Sequence, residues 1–513
     1  MTTDVAVGVP GVEKPSTRRQ IRGSSLLLVG RVISMVVNYA VQVLIARYLT
    51  KSDFGAFAYA LSLVALGETI VTLGLDRAVT RFLPIYHEKE EYNKLFGTLV
   101  MVLGGIVTLG IVIVIAFQFL QGTLSESLVN DPQVLALLAI MIVLSPVQAI
   151  DNVLNGMFAV FSRPKAIFFQ KYILGPAIRL TTVVLLILGS SDVTFLAVGY
   201  VTGAVIGIII FGAVLWRILR EGQVLQHFQL RAMQFPFREV LSFTVPLLAS
   251  DLVYVVMNSM DAVLLESYHG TELVAAFRVV QPTARLNQFI LTSFALLFTP
   301  AAARMLARND REGVNNLYWQ NAVWVAIMSF PIFALTFSLA QPLTVLVFEE
   351  RYAESGIILA LLSFGYYVNA ATGQNGLALK VIGRLRYIVI VDIAAAAINL
   401  VVNLFMIPRY GAMGAAVGTT STLILFNILK QLGLRGTDIK VFDISYIRVY
   451  GSILLAAFGL LMVQSLLAPP FYLSFIIAGI VCLWVLRVNR HALNLEQTFP
   501  EVLRFAPVRW LLS

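Results

Sequence analysis

Long runs of apolar residues alternate with short polar connections along the whole chain. A helix needs about 20 mostly apolar residues to cross a bilayer, and a window of that length finds fourteen candidate spans. They lie at about 24–46, 54–74, 95–119, 133–158, 166–188, 193–216, 239–266, 272–298, 316–339, 355–379, 387–407, 412–434, 449–468 and 471–487. The pattern therefore predicts an all-α, polytopic membrane protein with about 14 transmembrane helices and no sizeable soluble domain between them.

Composition supports this prediction and removes several other classes of protein. Hydrophobic residues make up 58% and charged residues only 13% of the 513 residues, against about 25% charged in ordinary globular chains. So few charges exclude a disordered, a secreted or a nucleic-acid-binding protein. The lone cysteine, Cys482, excludes a disulfide framework. The polar residues 1–23 do not resemble a cleavable signal peptide, so we expect the first span to remain in the mature protein.

The positions of the basic residues predict the orientation, because Lys and Arg are retained on the cytoplasmic side. With the N-terminus inside, 29 of the 37 basic residues fall in inner segments and four within spans. Only Arg47, Lys51, Arg351 and Arg409 fall in outer connections. We therefore expect a multi-pass protein of the cytoplasmic (inner) cell membrane with both termini cytoplasmic. Its basic inner face should attract the anionic headgroups of membrane lipids.

A weak internal repeat at an offset near 220 suggests how the spans are grouped. Ala197-Val198-Gly199, for example, recurs as Ala416-Val417-Gly418. Six spans per copy is an even number, so both copies point the same way, and parallel repeats place the substrate site at their interface. The predicted units are a cytoplasmic segment 1–23, an N-lobe 24–220, a linker 221–238, a C-lobe 239–434, two further helices in 435–487 and a cytoplasmic tail 488–513. The lobes should surround a central cavity.

Four arginines lie within the predicted spans and are candidates for substrate binding. They are Arg31 in span 1, Arg179 in span 5, and Arg278 and Arg285 in span 8. A buried charge is costly, so it should face a cavity or a partner. A separation of seven residues puts Arg278 and Arg285 on one helical face, where guanidinium groups could hold a phosphate. The alternative is that each arginine is neutralised by a buried acid such as Glu68 or Asp261.

Glu68, Asp251 and Asp261 are candidates for coupling to protons or Na⁺, because intramembrane carboxylates often mark ion pathways. Their alternative role is that of a buried ion pair. No P-loop, H-E-x-x-H, C-x-x-C or G-x-S-x-G motif occurs. The sequence therefore predicts no catalytic residue, metal ligand or bound cofactor, and no ATP site.

Three stretches resemble the oligosaccharide (polysaccharide) flippases, the O-antigen-type members of the multidrug/oligosaccharidyl-lipid/polysaccharide (MOP) exporter superfamily. They are ARYLTKSDFG at 46–55, GLDRA at 74–78 and NLVVNLFMIPRYGAMGAA at 399–416. The last one looks like the family passage in which two asparagines precede Ile-Pro and Gly-Ala-Ala. Asp261 stands where the family often has Asp followed by Arg, and Ala262 departs from that pattern.

The resemblance implies a fold of fourteen helices in two six-helix lobes and the transport of polyprenyl-(pyro)phosphate-linked oligosaccharides from the cytoplasmic to the outer leaflet. It also implies that Arg31 and Arg278, which stand on helices that carry arginines in the family, bind pyrophosphate. Glycosyltransferases and a polysaccharide polymerase are the expected protein partners, and nucleic acid is not.

Three other functions remain open at this point. One is a multidrug/cation antiporter of the same superfamily, although such proteins usually have twelve spans and cavities suited to cations. The second is a lipid II flippase. The third, from another class, is a membrane-embedded glycan polymerase or transferase, although no connection here is long enough for a usual catalytic loop.

Overall fold

A computed structural model describes residues 17–127, 131–161 and 164–493. Most of the predicted tails, residues 1–16 and 494–513, lie outside the described residues. The described secondary structure is helical and contains no strand. Its α-helices are α1 (Thr17–Tyr48), α2 (Lys51–Thr72), α3 (Leu75–Glu88), α4 (Tyr92–Ser127), α5 (Pro132–Met141), α6 (Leu144–Val160), α7 (Pro164–Ile167), α8 (Gly175–Leu188), α9 (Val193–Glu221), α10 (Phe237–His269), α11 (Thr271–Arg285), α12 (Phe289–Ala307), α13 (Arg311–Phe333), α14 (Ala340–Phe348), α15 (Ser355–Ala371), α16 (Asn375–Val381), α17 (Leu385–Leu432), α18 (Ile447–Leu467), α19 (Phe471–Val488) and α20 (Arg490–Leu493).

The described helices include 11 that are long and apolar enough to cross a membrane. A twelfth is added if Thr271–Ala295 and Leu297–Ala307, which meet at a bend of 40°, form one span. The prediction of an all-α polytopic membrane protein is therefore confirmed. The count of fourteen, the two lobes and the unit boundaries stay predictions.

α17 is a helical hairpin rather than one straight rod. Gly411 has φ 53° and ψ −133°, which interrupts the helix and is a conformation that glycine adopts at little cost. The Tyr387 hydroxyl donates to the carbonyl of Leu429 over 2.6 Å, although a straight helix would separate them by about 63 Å at 1.5 Å per residue. The chain therefore turns back at Gly411, between the predicted spans 387–407 and 412–434.

Packing joins the first and second halves of the chain along α2. This helix packs against both α10 and α11, and α10 packs in turn against α17. A Cβ atom on Gly55 of α2 would lie 1.9 Å from the carbonyl oxygen of Thr271, so the absence of a side chain permits the close approach of α2 to α11. Large apolar side chains are exposed on the outer helices, among them Phe119, Ile209 and Leu455, as expected where helices face lipid rather than water.

α3 is a helix that the apolar runs do not reveal. It follows α2 directly and is amphipathic: Ala78, Val79 and Leu83 are buried, whereas its other face carries charged side chains. Its length and polarity place it outside the predicted spans. It brings Arg77 next to α10.

Candidate functional site

A central cavity of about 530 Å³ lies between helices from both halves of the chain. α1, α2, α6, α8 and α9 contribute to one side, and α10 and α11 contribute to the other. Arg179, Arg278 and Arg285 line it together with Gln42 and Asn258. No aspartate or glutamate is among the described residues that line it. The cavity therefore presents three positive charges without a carboxylate in its wall.

Arg278 is held at this wall by uncharged groups. Its Nη2 donates to Oγ of Ser62 over 2.9 Å and to the carbonyl of Asn258 over 2.8 Å. Its Nη1 donates to Oε1 of Gln281 over 2.9 Å. These hydrogen-bond partners carry no formal charge, so they orient the guanidinium group. The buried acid Asp261 lies outside the wall of the central cavity but interacts electrostatically with both Arg278 and Arg285.

Arg285 lines the same cavity two turns further along α11. Its Nη2 donates to Oδ1 of Asn258 over 2.8 Å, and its Nε donates to the hydroxyl of Tyr366 over 3.1 Å. Asn258 therefore contacts both arginines, one through its backbone carbonyl and the other through its amide oxygen. The two side chains lie along one face of α11, where their spacing in the sequence places them.

The other two candidate arginines are placed differently. Arg179 of α8 lines the central cavity and donates from Nη1 to Oδ1 of Asn38 over 3.3 Å. Arg31 is exposed on α1 and is not among the residues that line the central cavity. The structure thus brings together three of the four predicted arginines, and a role for any of them in substrate binding stays a prediction.

Asp261 is the most buried of the three candidate coupling acids, with 1% of its surface exposed. Nδ2 of Asn403 donates to its Oδ1 over 2.6 Å, and Oγ1 of Thr419 donates to its Oδ2 over 3.2 Å. Asn403 also donates to Oδ1 of Asn399 over 3.2 Å. Asn399 and Thr419 line a further cavity of about 430 Å³, which includes Arg285 in its wall. Asp261 therefore lies in a polar network next to the arginines.

Asp251 and Glu68 lie elsewhere and have different partners. Asp251 forms an ion pair with Arg77 of α3. An ion pair was the alternative role that the sequence left open for this acid. Its partner lies outside the predicted spans. Glu68 accepts a hydrogen bond from Nδ2 of Asn152 over 2.8 Å. The three acids thus do not form one site.

Cross-contacts at one end of the molecule join α1 and α2 to the α14–α15 region. Nε of Arg47 donates to the carbonyl of Val347 over 2.7 Å. Nη1 of Arg351 donates to the carbonyl of Leu49 over 2.8 Å. Arg47 of α1 thus binds a carbonyl at the C-terminal end of α14, and Arg351, which follows α14, binds a carbonyl at the C-terminal end of α1. The helix dipole favours a cation at both places. Lys51 pairs with Glu354 beside them. We call Arg47, Lys51, Arg351 and Glu354 the arginine clasp.

The opposite end is held by contacts of α3 with α10. Besides the pair of Arg77 with Asp251, the hydroxyl of Tyr86 donates to Oε2 of Glu239 over 2.9 Å. Burial, followed by the interaction with Glu239, raises the pKa of Tyr86 to about 12, so the phenol remains protonated and keeps this bond at physiological pH. The central cavity thus lies between two sets of contacts that join the halves of the chain.

Several of these residues could not be assigned a role from the sequence. Gln42, Asn258, Gln281 and Asn403 are polar residues within predicted spans, which is a signal, although such residues more often only join helices. Ser62, Tyr366 and Thr419 carry no comparable signal, because hydroxyl side chains are common in transmembrane helices. Arg77 resembled an ordinary residue of an inner connection.

Comparisons with known proteins agree with this architecture. The family described as polysaccharide biosynthesis protein matches residues 21–300, more than half of the chain, and the family described as MatE matches residues 246–405. The capsular polysaccharide biosynthesis protein CapF of Staphylococcus aureus is 19% identical over 407 residues, which cover 78% of this chain and 95% of CapF. An uncharacterized membrane protein of Methanocaldococcus jannaschii is 22% identical over 419 residues, which cover 78% of this chain and 81% of that protein.

Among solved structures, the lipid II flippase MurJ in its inward closed conformation is similar with a TM-score of 0.69 and 14% sequence identity. The superposition covers 92% of this chain and 99% of that one, and at this identity it establishes the fold alone. The family match identifies the family, and the apolar helices and the cavity between the two halves agree with it. The chain belongs to the polysaccharide biosynthesis protein family, the polysaccharide flippases of the MOP superfamily.

Proposed function

We propose that the protein moves a polyprenyl-(pyro)phosphate-linked oligosaccharide from the cytoplasmic to the outer leaflet of the cell membrane. The observation that carries this proposal is the central cavity, where three arginines and no carboxylate of the described wall face the space between the halves. A polar headgroup with phosphate charges cannot cross hydrocarbon unaided. Inside the cavity its charge is matched, while the polyprenyl tail remains in the lipid.

The arginines suit a phosphate for geometric as well as electrostatic reasons. Arginine offers a planar set of donors that can bind phosphate oxygens in pairs. Arg278 and Arg285 lie along one face of α11, so two successive guanidinium groups can meet the two phosphates of a pyrophosphate. Arg179 approaches from α8 on the other side.

Transport proceeds by alternating access, in which one half of the chain rocks against the other around a fixed site. The contacts that have to open lie at the two ends of the cavity. The pair of Arg77 with Asp251 and the bond from Tyr86 to Glu239 close one end, and the arginine clasp closes the other. With the predicted orientation, the Arg77 end faces the cytoplasm and admits the substrate.

Coupling to an ion gradient is assigned to Asp261. The sequence carries no nucleotide-binding motif of the P-loop type, so net movement requires another source of free energy. Asp261 is a buried carboxylate in a network of uncharged oxygens and amides, and that network reaches the cavity containing Arg285. Binding of H⁺ or Na⁺ there would change the charge near the arginines and so couple the ion to the substrate.

The partners follow from this substrate. Glycosyltransferases at the cytoplasmic face would build the lipid-linked glycan, and a polymerase on the other side would consume it. Both are proposed from the chemistry of the cargo.

A cation antiporter is the second candidate, because the MatE family matches residues 246–405. The cationic wall of the central cavity opposes it, since three arginines would repel a cationic drug. A lipid II flippase would carry the same polyprenyl pyrophosphate group, and a membrane-embedded polymerase or transferase would act on the same glycolipids. The assay below therefore includes both kinds of lipid cargo.

The test uses the full chain purified into liposomes that hold a polyprenyl-diphosphate oligosaccharide or lipid II in one leaflet. Wild type is expected to move at least one of these lipids to the other leaflet, and Arg278→Ala/Arg285→Ala is expected to lose that movement. Arg217→Ala removes one positive charge from an exposed side chain of α9 and should retain it.

Reconstitution yield and melting temperature show whether each variant is folded, and Arg278→Gln provides a milder change at the same position. Movement by a well-folded double variant at the wild-type rate would overturn the cationic-cavity proposal. Ion-driven efflux of a cationic dye without lipid movement would favour the antiporter. Lipid conversion instead of movement would favour the enzyme.

A further inference from the structure

A second cavity adjoins the central one within the first half of the chain. It encloses about 340 Å³, within the range of about 300–1,000 Å³ that is usual for small-molecule sites. Asn38, Gln148, Arg179 and Tyr200 line both cavities, so the two share a wall. Amide side chains dominate its polar lining: Asn38, Gln148, Asn152, Asn155 and Gln170. We call it the amide cavity.

Asp151 fixes the orientation of two of these amides. Nε2 of Gln170 donates to Oδ1 of Asp151 over 2.6 Å, and Nδ2 of Asn155 donates to Oδ2 over 3.1 Å. An ionised carboxylate only accepts hydrogen bonds, so each amide must present its NH₂ group to it. The carbonyl oxygens of both amides are consequently directed away from Asp151.

Those two oxygens have no donor among the described residues, although both are buried. Only 3% of the surface of Gln170 is exposed. A buried acceptor without a donor is costly, by about 1–3 kcal/mol, and such groups in folded proteins call for an explanation. A ligand that brings hydrogen-bond donors into the amide cavity would satisfy these two oxygens and so explain them.

The backbone at Gln170 is also unusual. Residues Phe168–Leu174 form a π-helical segment, in which the N–H of Gly175 bonds to the carbonyl of Gln170. Pro176 follows, and it lacks an N–H and crowds the carbonyl four residues earlier, which favours this wider turn. Short π-helical segments occur often at functional sites. Here the segment carries the most buried amide of the cavity.

The charges of the amide cavity indicate the kind of ligand. The two buried acceptors call for a hydrogen-bond donor, which an ionised phosphate lacks, and Lys171 and Arg179 in the same wall would repel a cationic donor. A neutral ligand with many hydroxyl groups fits both constraints, because hydroxyls donate to amide oxygens and accept from amide NH₂ groups. Tyr172 and Tyr200 add aromatic surface to the wall.

We propose that the amide cavity binds the neutral sugar next to the phosphates of the lipid-linked cargo, with Gln170 and Asn155 as its acceptors and Asp151 as their positioning residue. This inference rests on the proposed function. It places the phosphates in the central cavity and the first sugar beyond the shared wall at Arg179. Selection among cargo lipids then depends on the amide cavity rather than on the arginines.

The experiment measures dissociation constants of the full-length protein in nanodiscs for four probes. The probes are a bare C55 polyprenyl diphosphate and the same lipid bearing a neutral hexose, an N-acetylhexosamine or a hexuronic acid. Wild type should bind at least one neutral glycolipid about tenfold more tightly than the bare lipid, as one or two neutral hydrogen bonds would give.

Gln170→Met and Asn155→Leu keep side-chain size but remove the acceptors, together with the NH₂ groups that donate to Asp151. Each should lower the preference for the neutral glycolipid several-fold and leave the affinity for the bare lipid unchanged, while the melting temperature falls somewhat because Asp151 loses a donor. Arg278→Ala should instead weaken the binding of all four lipids. Gln226→Met, at an exposed position outside both cavities, is the matched control and should change neither quantity.

The outcomes separate the two proposals. If wild type binds none of the four lipids, the proposed function fails. If it binds them all equally, or if Gln170→Met and Asn155→Leu keep the wild-type preference, only the sugar site is overturned. If these variants weaken the bare lipid as much as the glycolipids, the amides act on the fold rather than on the sugar, and the proposal is also overturned.

Discussion

Asn258 holds both α11 arginines of the central cavity through two different oxygens, its backbone carbonyl for Arg278 and its amide oxygen for Arg285. A change of charge at this side chain therefore acts on both arginines at once. An added carboxylate at this position would supply the acid that the described wall lacks. At about 4 Å and an effective dielectric constant of about 20, a unit charge pair interacts by about 4 kcal/mol.

Asn258→Asp is accordingly expected to weaken binding of a polyprenyl diphosphate at least tenfold, because the new carboxylate pairs with the arginines and competes with phosphate. Equilibrium binding in nanodiscs measures the effect. Asn316→Asp adds the same charge at an exposed position of α13 and should have little effect. Equal loss in both variants would attribute the effect to net charge rather than to the cavity.

Asp261→Asn is expected to abolish the dependence of transport on the coupling ion while the lipid still binds. The amide is close in size to the carboxylate, but it neither titrates nor carries the charge that would attract Na⁺. Initial transport rates in proteoliposomes, with the proton and Na⁺ gradients imposed separately, measure this. Asp251→Asn should keep the ion dependence but lose stability, since Arg77 would lose its ion-pair partner. Retained ion dependence in Asp261→Asn would exclude it as the coupling site.

The site was predictable from the sequence only where spacing and charge determine position. Seven residues between Arg278 and Arg285 place both on one face of a helix, and in the structure both line the cavity. For Arg31 the sequence predicted the helix that carries it but not the direction of its side chain, which is exposed. The pairing of Arg77 with Asp251 depends on how α3 packs against α10, which no local pattern encodes.

At the scale of the helices, the runs of apolar residues coincide with helices of the structure but do not reveal the interruptions within them. The boundary between α5 and α6, the break between α11 and α12 and the π-helical segment at Phe168–Leu174 all lie inside single predicted spans. A hydropathy window averages over such breaks, because they change backbone geometry without changing composition. The hydropathy window also misses the amphipathic α3, because the mean hydropathy of this helix is low.

The turn at Gly411 gives a prediction at this scale. Gly411→Ala should destabilise the protein by about 1–3 kcal/mol, because φ 53° with ψ −133° is strained for any residue with a Cβ atom. That Cβ atom would also lie 2.8 Å from Cδ1 of Leu273. Denaturation followed by tryptophan fluorescence in detergent measures the change. Gly459→Ala, in α18 where nothing lies within 4 Å of the new atom, should be neutral or slightly stabilising. A stable Gly411→Ala would mean that the hairpin turns by another route.

At the scale of the whole molecule, the predicted orientation places the contacts at one end of the cavity on the cytoplasmic side and those at the other end on the outer side. Three of the four basic residues that the sequence places in outer connections, Arg47, Lys51 and Arg351, belong to the arginine clasp. The small outer set of basic residues thus coincides with contacts between the two halves. Opening the outer end would break these bonds, while the pair of Arg77 with Asp251 holds the inner end.

Loss of the clasp should therefore shift the protein towards an outward-open state. Hydrogen bonds from a charged group contribute about 1.5–3 kcal/mol each, and a shift of about 1.4 kcal/mol changes a two-state ratio tenfold. Arg351→Ala is expected to raise the access of the central cavity from outside at least tenfold. A single cysteine introduced by Ala58→Cys, at the cavity wall, in a Cys482→Ala background reports this through its reaction with a membrane-impermeant maleimide applied outside.

Two further variants make the measurement decisive. Arg409→Ala removes the other predicted outer arginine, which is not part of the clasp, and should leave the labelling rate unchanged. Arg77→Ala should lower labelling from outside and raise it from inside, since it releases the opposite end. If Arg351→Ala instead raised labelling only from the cytoplasmic side, the predicted orientation of the chain would be inverted. If neither arginine changed access from either side, these contacts would hold the fold together without controlling access to the cavity.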